Sequence, residues 1–291
     1  MVMDLAVELI HATVQLEQPL GDGTRTVGTG FLISAPTADG RPRVVLVTAN
    51  HVLEKMPAAT ARIGYRVANA DGSWSYSPQP LKIRDDKGGP LWIHHPTRDV
   101  AAIAITAPPE FAKAAIPEGY LATDDTFAQY HVTAGDEMMA LGFPRGLSAN
   151  QAGFPILRAG RVASYPIAPA SIFPTFLLDF AVFAGNSGGP VFVSRPQQPP
   201  GAPQGLTQVA DVTQGGAVPG AGFIAGLLTQ QVELNSERLE IGIVTHAKYV
   251  RETLALLRNP LAPATVAQAS VNQAAPVAGA RTASAEEAAK D

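Results

Sequence analysis

The sequence predicts an all-β protein built from two β units. Three observations carry that expectation. The chain holds 27 glycines and 25 prolines among 291 residues, an ample supply of turn formers. Only 16% of its residues are charged, against roughly 25% in an average soluble domain. Short apolar or alternating runs bounded by turn residues recur along the chain in two series, the pattern of sandwiches and barrels.

The first series begins with runs at 12–17 and 26–34, on either side of Gly21-Asp22-Gly23, which supplies turn chemistry. The run 44–48 is β-branched and ends at Ala49-Asn50-His51; further runs lie at 61–67, 74–83 and 100–106. A looser stretch at 108–125 separates the two series. The second comprises 137–141, 155–163, 175–183, 190–193, 222–230 and 240–245. One helix is expected at 246–259, where Ala247, Val250, Leu254 and Leu257 fall at helical spacing and Pro260 stops the pattern. The segment 260–291 is alanine-rich and without aromatics, so it is expected to be a disordered tail. The Pro-, Gly- and Gln-rich segment 195–220 is expected to be a surface loop between strands.

Composition also excludes. With no cysteine there is no disulfide framework, thiolate metal site or catalytic thiol. A net charge of −4 does not suit a nucleic-acid partner. No apolar run approaches the ~18 residues of a membrane span. Asp4, Glu8, Glu17 and Asp22 all precede the first basic residue, Arg25, so no secretory signal is visible. The expected location is cytoplasmic, or exported if a leader has been removed. No cofactor is implied.

The residues that suggest chemistry are few. Gly185-Asn186-Ser187-Gly188-Gly189-Pro190 places a serine among glycines. Small neighbours let a substrate carbonyl approach the hydroxyl and let the backbone aim two N–H groups, those of Gly185 and Ser187, at one point. Taken alone, this is also an ordinary Gly-rich turn. His51 sits where an apolar run gives way to a loop, and Asp99 leads into another such run. Each of those two has a commonplace reading as a polar residue at a strand end. His94, His95 and His131 are candidate metal ligands, but adjacent strand residues point to opposite faces, so His94 and His95 do not converge easily and no metal is assigned. His11 has no evident role.

Together, these segments resemble the chymotrypsin/trypsin-like serine peptidases, of a cysteine-free bacterial type. His51, Asp99 and Ser187 occur in that family's order, and the resemblance covers about residues 9–258. The run Gly-Thr-Gly-Phe-Leu-Ile-Ser at 28–34 looks like the strand before the family's histidine. Residues 223–229 look like the strand after its serine, and 242–254 like its closing strand and helix. The resemblance implies two six-stranded antiparallel β-barrels with a C-terminal helix. The first, at 9–115, would carry His51 and Asp99; the second, at 126–258, would carry Ser187. It implies a triad in which Ser187 is nucleophile, His51 general base and Asp99 the group that orients it, with the Gly185 and Ser187 amides as oxyanion hole. Each oxyanion donor is worth roughly 3–4 kcal/mol in related enzymes. Thr229 stands where the family has a serine beside the triad acid, so its hydroxyl is expected to bond Asp99.

Some positions depart from digestive members of that family. Asn186 replaces the aspartate that pairs with a newly cut N-terminus, so no activation switch of that kind is expected. Ala181 would form the floor of the primary specificity pocket, with Gln231 and Gly242 on its walls. An uncharged floor argues for an apolar or small P1 residue and against a basic one. Residues 229–231 would pair with an extended peptide or protein substrate. Two other readings share these residues. One is a peptidase fold that binds peptides without cutting them. The other is an α/β-hydrolase-type esterase using Gly185–Gly189 as a nucleophile elbow, with Asp211 or Glu240 and His246 completing its triad.

Overall fold

Strands form where the β-branched and apolar runs lie, and two sheets result. The structure is a computed structural model that describes residues 4–194, 222–234 and 237–258, except for the side chains of 230–239. The expected loop at 195–220 and tail at 260–291 lie outside the described residues. The N-terminal strands are β1 (Thr13–Pro19), β2 (Arg25–Ser34), β3 (Val44–Thr48), β4 (Thr60–Ala68), β5 (Trp74–Lys82), β6 (Ile93–His94), β7 (Ala101–Ile105) and β8 (Ile116–Pro117). They form a barrel-like sheet in the order β5-β4-β1-β2-β3-β7-β6, with β8 parallel to β2. Eight strands stand where six were expected, because β6 and β8 add two-residue pairings. The second set is β9 (Glu137–Gly142), β10 (Ile156–Val162), β11 (Thr175–Asp179), β12 (Pro190–Val193), β13 (Phe223–Leu234) and β14 (Glu237–His246). These close into a barrel in the order β10-β11-β14-β13-β12-β9.

The core accounts for the pattern. Strand β3 is a β-branched run fully buried from Val45 to Thr48, and Phe31, Leu32 and Ile33 of its neighbour β2 are also sealed from solvent. Phe176, Phe192 and Phe223 fill the second barrel. Strand β5 lies at an open sheet edge and carries Pro78 and Pro80, which lack the N–H groups that another strand would need.

Among the described residues five α-helices join the strands: α1 (Leu5–Ala12), α2 (Asn50–Glu54), α3 (Pro109–Ala114), α4 (Asp124–Gln129) and α5 (Ala247–Arg258). Only α5 was expected. It buries Ala247, Val250 and Leu254, three of the four residues that predicted it. Helix α1 is capped by Asp4, whose carboxylate accepts from Ala6 N at 3.0 Å. Its last carbonyls are met by Arg66, which is 2% exposed. The guanidinium of Arg66 donates to Ile10 O, His11 O and Thr13 O at 3.2, 2.7 and 2.9 Å. Burial pushes its pKa down to about 10, yet four carbonyls and the rings of Phe111 and Phe154 hold the cation in place.

Candidate active site

His51 lies on α2, the short helix that follows β3 directly. Helix α2 packs close to β2 because residue 28 is glycine; a Cβ there would stand 2.3 Å from Val52 Cγ1. Asp99 lies just before β7, the strand paired with β3. The sheet therefore brings the two together although 48 residues separate them. Asp99 accepts two bonds from the histidine: His51 N to Oδ1 at 2.9 Å, and His51 Nδ1 to Oδ2 at 2.6 Å. Partial burial of Asp99 would raise its pKa, but the bonds from the His51 ring and amide outweigh this and hold it below the usual carboxylate value. An ionised Asp99 keeps the proton on Nδ1, which leaves Nε2 as the acceptor.

Helix α5 braces the loop that carries Asp99. His95 Nε2 meets Glu252 Oε2 at 3.0 Å, and its Nδ1 accepts from Thr97 N at 3.2 Å. The Arg98 guanidinium lies 5.3 Å from the Tyr249 ring centre.

Ser187 lies in the turn before β12, and the N-terminal sheet holds that turn tightly. Thr29 of β2 donates its N–H to Ser187 O at 2.9 Å and its hydroxyl to Gly185 O at 2.6 Å. The same hydroxyl accepts from Phe143 N at 3.1 Å. Thr48, three residues before His51, donates to Thr29 O at 2.7 Å. Gly188 fits between these groups because it lacks a side chain: a Cβ there would lie 2.1 Å from Thr29 O and 2.2 Å from Thr48 Oγ1. Thr29 thus links the histidine segment to the serine turn.

The amides flanking Asn186 are aimed by the carbonyls of their own peptide units. Arg145 N donates to Ala184 O at 2.6 Å, which orients the Gly185 N–H. Gly189 N donates to Asn186 O at 3.0 Å, which orients the Ser187 N–H. Among the described residues, neither the Gly185 nor the Ser187 amide has an acceptor. Gly185 has φ +97°, and a Cβ there would lie 2.3 Å from Phe143 O, so the position requires glycine. The Ser187 hydroxyl donates to Thr229 O at 3.3 Å, and His51 Nε2 has no hydrogen-bond partner among the described residues.

A model of the trypsin-like peptidase domain matches residues 28–197, more than half of the chain. The chain belongs to the trypsin-like peptidase family. Among solved structures it is similar to the HtrA-type protease AlgW bound to a tripeptide, at 17% identity and TM-score 0.50. That match covers 88% of this chain and 62% of the other, so this chain spans under two thirds of its length. Protease Anisep from Arthrobacter nicotinovorans is a further match at 15% identity and TM-score 0.47, covering 84% of this chain and 93% of that one. No curated protein matches the sequence.

Several expectations about this trypsin-like peptidase change. The Thr229 hydroxyl does not bond Asp99. It donates to Ile243 O at 3.3 Å and accepts from Thr245 at 3.4 Å. The β13–β14 register shifts at this point, and the side chain is sealed inside the barrel at 4% exposure. What Thr229 offers the site is its carbonyl. Gly242 lies against Phe180, Val182 and Leu228, whereas the carbonyl of Ala181 accepts from the Arg158 guanidinium. Gln231 lies on β13, and its side chain is outside the described residues.

The esterase reading loses its base. His246 is packed between the rings of Phe127 and Phe176, at 4.8 and 5.0 Å, and burial pushes its pKa down to about 4. Ser187 leads into strand β12 instead of the helix that an elbow needs. Asp211 is outside the described residues, and Glu240 sits on the surface with φ 52°. His95 is engaged by Glu252, and His94 Nδ1 faces His95 O at 3.2 Å. Among the described residues, no helix is long and apolar enough to cross a membrane.

Proposed function

We propose that this trypsin-like peptidase is a serine endopeptidase that cleaves through a His51–Asp99–Ser187 triad and an acyl-enzyme. The observation that carries the reading is the Asp99–His51 pair, bonded at 2.6 Å through Nδ1 with Nε2 left open. The serine turn is tied to the same strands through Thr29 and Thr48. Ser187 Oγ attacks the scissile carbonyl while His51 Nε2 takes its proton. The carbonyl oxygen becomes an oxyanion held by the Gly185 and Ser187 amides. Collapse breaks the C–N bond, and His51 returns the proton to the departing amine. Water, deprotonated by the same ring, then releases the acid and restores Ser187.

The uncharged side chain of Ala181 and the apolar neighbours of Gly242 favour an apolar or small P1 side chain. An extended peptide would pair along 229–231 of β13. The Ser187–Thr229 bond favours a second reading, a silent peptide-binding module in which the hydroxyl is held away from the base. Hydrolysis of a peptide library by the wild type, His51→Ala and His246→Ala decides between them. The peptidase reading expects His51→Ala to abolish cleavage and His246→Ala to spare most of it. A folded wild type that binds peptides and cuts none supports the silent module.

A further inference from the structure

Two arginines converge on one ring beside the serine turn. The guanidinium carbons of Arg145 and Arg158 lie 5.3 and 5.2 Å from the centre of the Phe183 ring. Phe183 precedes Ala184 and Gly185, and Arg145 N donates to Ala184 O at 2.6 Å, in the peptide unit whose N–H would meet the oxyanion. Arg158 reaches it from β10 and donates to Ala181 O, the carbonyl of the expected pocket floor. Arg145 reaches it from the turn after β9, with φ 53°. That conformation costs a non-glycine residue about 1–2 kcal/mol and tends to cluster at functional sites.

Both charges are unspent. Arg145 is exposed and Arg158 half-buried, and among the described residues neither forms an ion pair with a carboxylate. Other arginines of the chain do: Arg25 pairs with Glu17 and Arg258 with Glu118. Arg84 and Arg98 also lie over rings without a carboxylate partner among the described residues, over Trp92 and Tyr249, but one to a ring; at Phe183 two such cations share one ring. Guanidinium groups stacked on an aromatic face leave N–H groups at their edges for other partners, and those edges match a carboxylate; Arg158 gives one such group to Ala181 O and keeps the others. Phe183 thus holds two guanidinium groups at one ring, two residues before Gly185 in the chain.

We infer that Arg145 and Arg158 form an anion subsite that selects peptides carrying an acidic side chain beside the scissile bond, next to the small or apolar P1 residue. The inference rests on the serine endopeptidase reading and names its substrate class.

The test uses internally quenched peptides with a fixed small P1 residue that differ only by Glu, Gln or Lys, at P2, P1′ and P2′ in turn. At one position, the Glu peptide is expected to be cleaved with about tenfold higher kcat/KM. High salt should shrink that advantage, because exposed charges are screened. The Glu/Gln ratio cancels any general loss of activity in a variant. Arg158→Gln is expected to bring the ratio toward one, Arg158→Lys to keep most of it, and Arg145→Glu to turn the preference toward Lys at that position. A wild-type ratio near one at every position overturns the inference alone, as does a ratio that survives both Arg158→Gln and Arg145→Glu. A chain that cleaves no peptide and takes no fluorophosphonate on Ser187 overturns the endopeptidase reading, and the inference with it.

Discussion

Replacing Thr29 with valine removes one hydroxyl and keeps the shape of the side chain. That hydroxyl donates to Gly185 O at 2.6 Å and accepts from Phe143 N at 3.1 Å, in a fully buried position. Valine leaves both backbone groups without a partner. Each such group costs about 1–3 kcal/mol, so the local penalty comes to about 2–6 kcal/mol. The turn can relieve part of it by letting Gly185 O swing away from β2. That swing disturbs the Gly185 and Ser187 amides. Loss of one oxyanion donor lowers turnover about 10²–10³-fold, and a displaced donor is expected near the lower figure. KM should change little, because the ground-state peptide gains nothing from these amides. The assay is steady-state hydrolysis of a quenched peptide, with thermal unfolding run beside it to confirm that the variant is folded. Thr29→Ser keeps the hydroxyl and should recover most of the turnover. A folded Thr29→Val enzyme with wild-type kcat would refute the clamp, and so would a Thr29→Ser enzyme as impaired as the valine variant.

Gly188→Ala should strain the same junction from the other side. The new Cβ would meet Thr29 O at 2.1 Å, at a φ of +88°; overpacking and the left-handed backbone together cost about 2–4 kcal/mol. Denaturant unfolding should show that loss, and an unchanged midpoint would contradict the packing described. Stability should also fall in mild acid because of His246. Its pKa is lowered from 6.5 to about 4 by burial, so the unfolded chain binds the extra proton first. The contribution is fully present above the unfolded value, is lost as pH falls between the two, and amounts to about 3 kcal/mol. Urea unfolding at neutral pH and near the folded value measures it. A His246→Leu variant with the same pH dependence would contradict the assignment.

The family and the fold were legible because their signals are local. The run 44–48 and the segment 190–193 match β3 and β12 residue for residue. His51, Asp99 and the serine turn stand in the sequence as short motifs. Helix α1 also had a signal, Asp4 as N-cap followed by Leu5, Leu9 and Ala12 on one buried face. It is short and runs straight into β1, and the strand pattern masked it. Helix α2 is a single turn that follows a β-branched run, below the length at which periodicity can be read. The role of Thr29 could not be read at all, since its partner Gly185 is 156 residues away. Thr229 was misjudged because a register shift in β13–β14 decides which way its side chain faces. Arg145 and Arg158 meet only through Phe183 of a third segment, and nothing in their spacing announces it.

The central claim is that Ser187 is an activated nucleophile served by His51. Treating the folded chain with a fluorophosphonate and mapping the adduct by mass spectrometry tests it directly. The account predicts one adduct, on Ser187, that forms rapidly in the wild type and is lost in His51→Ala. A folded wild type that takes no adduct on Ser187, or one that labels equally well without His51, would contradict it.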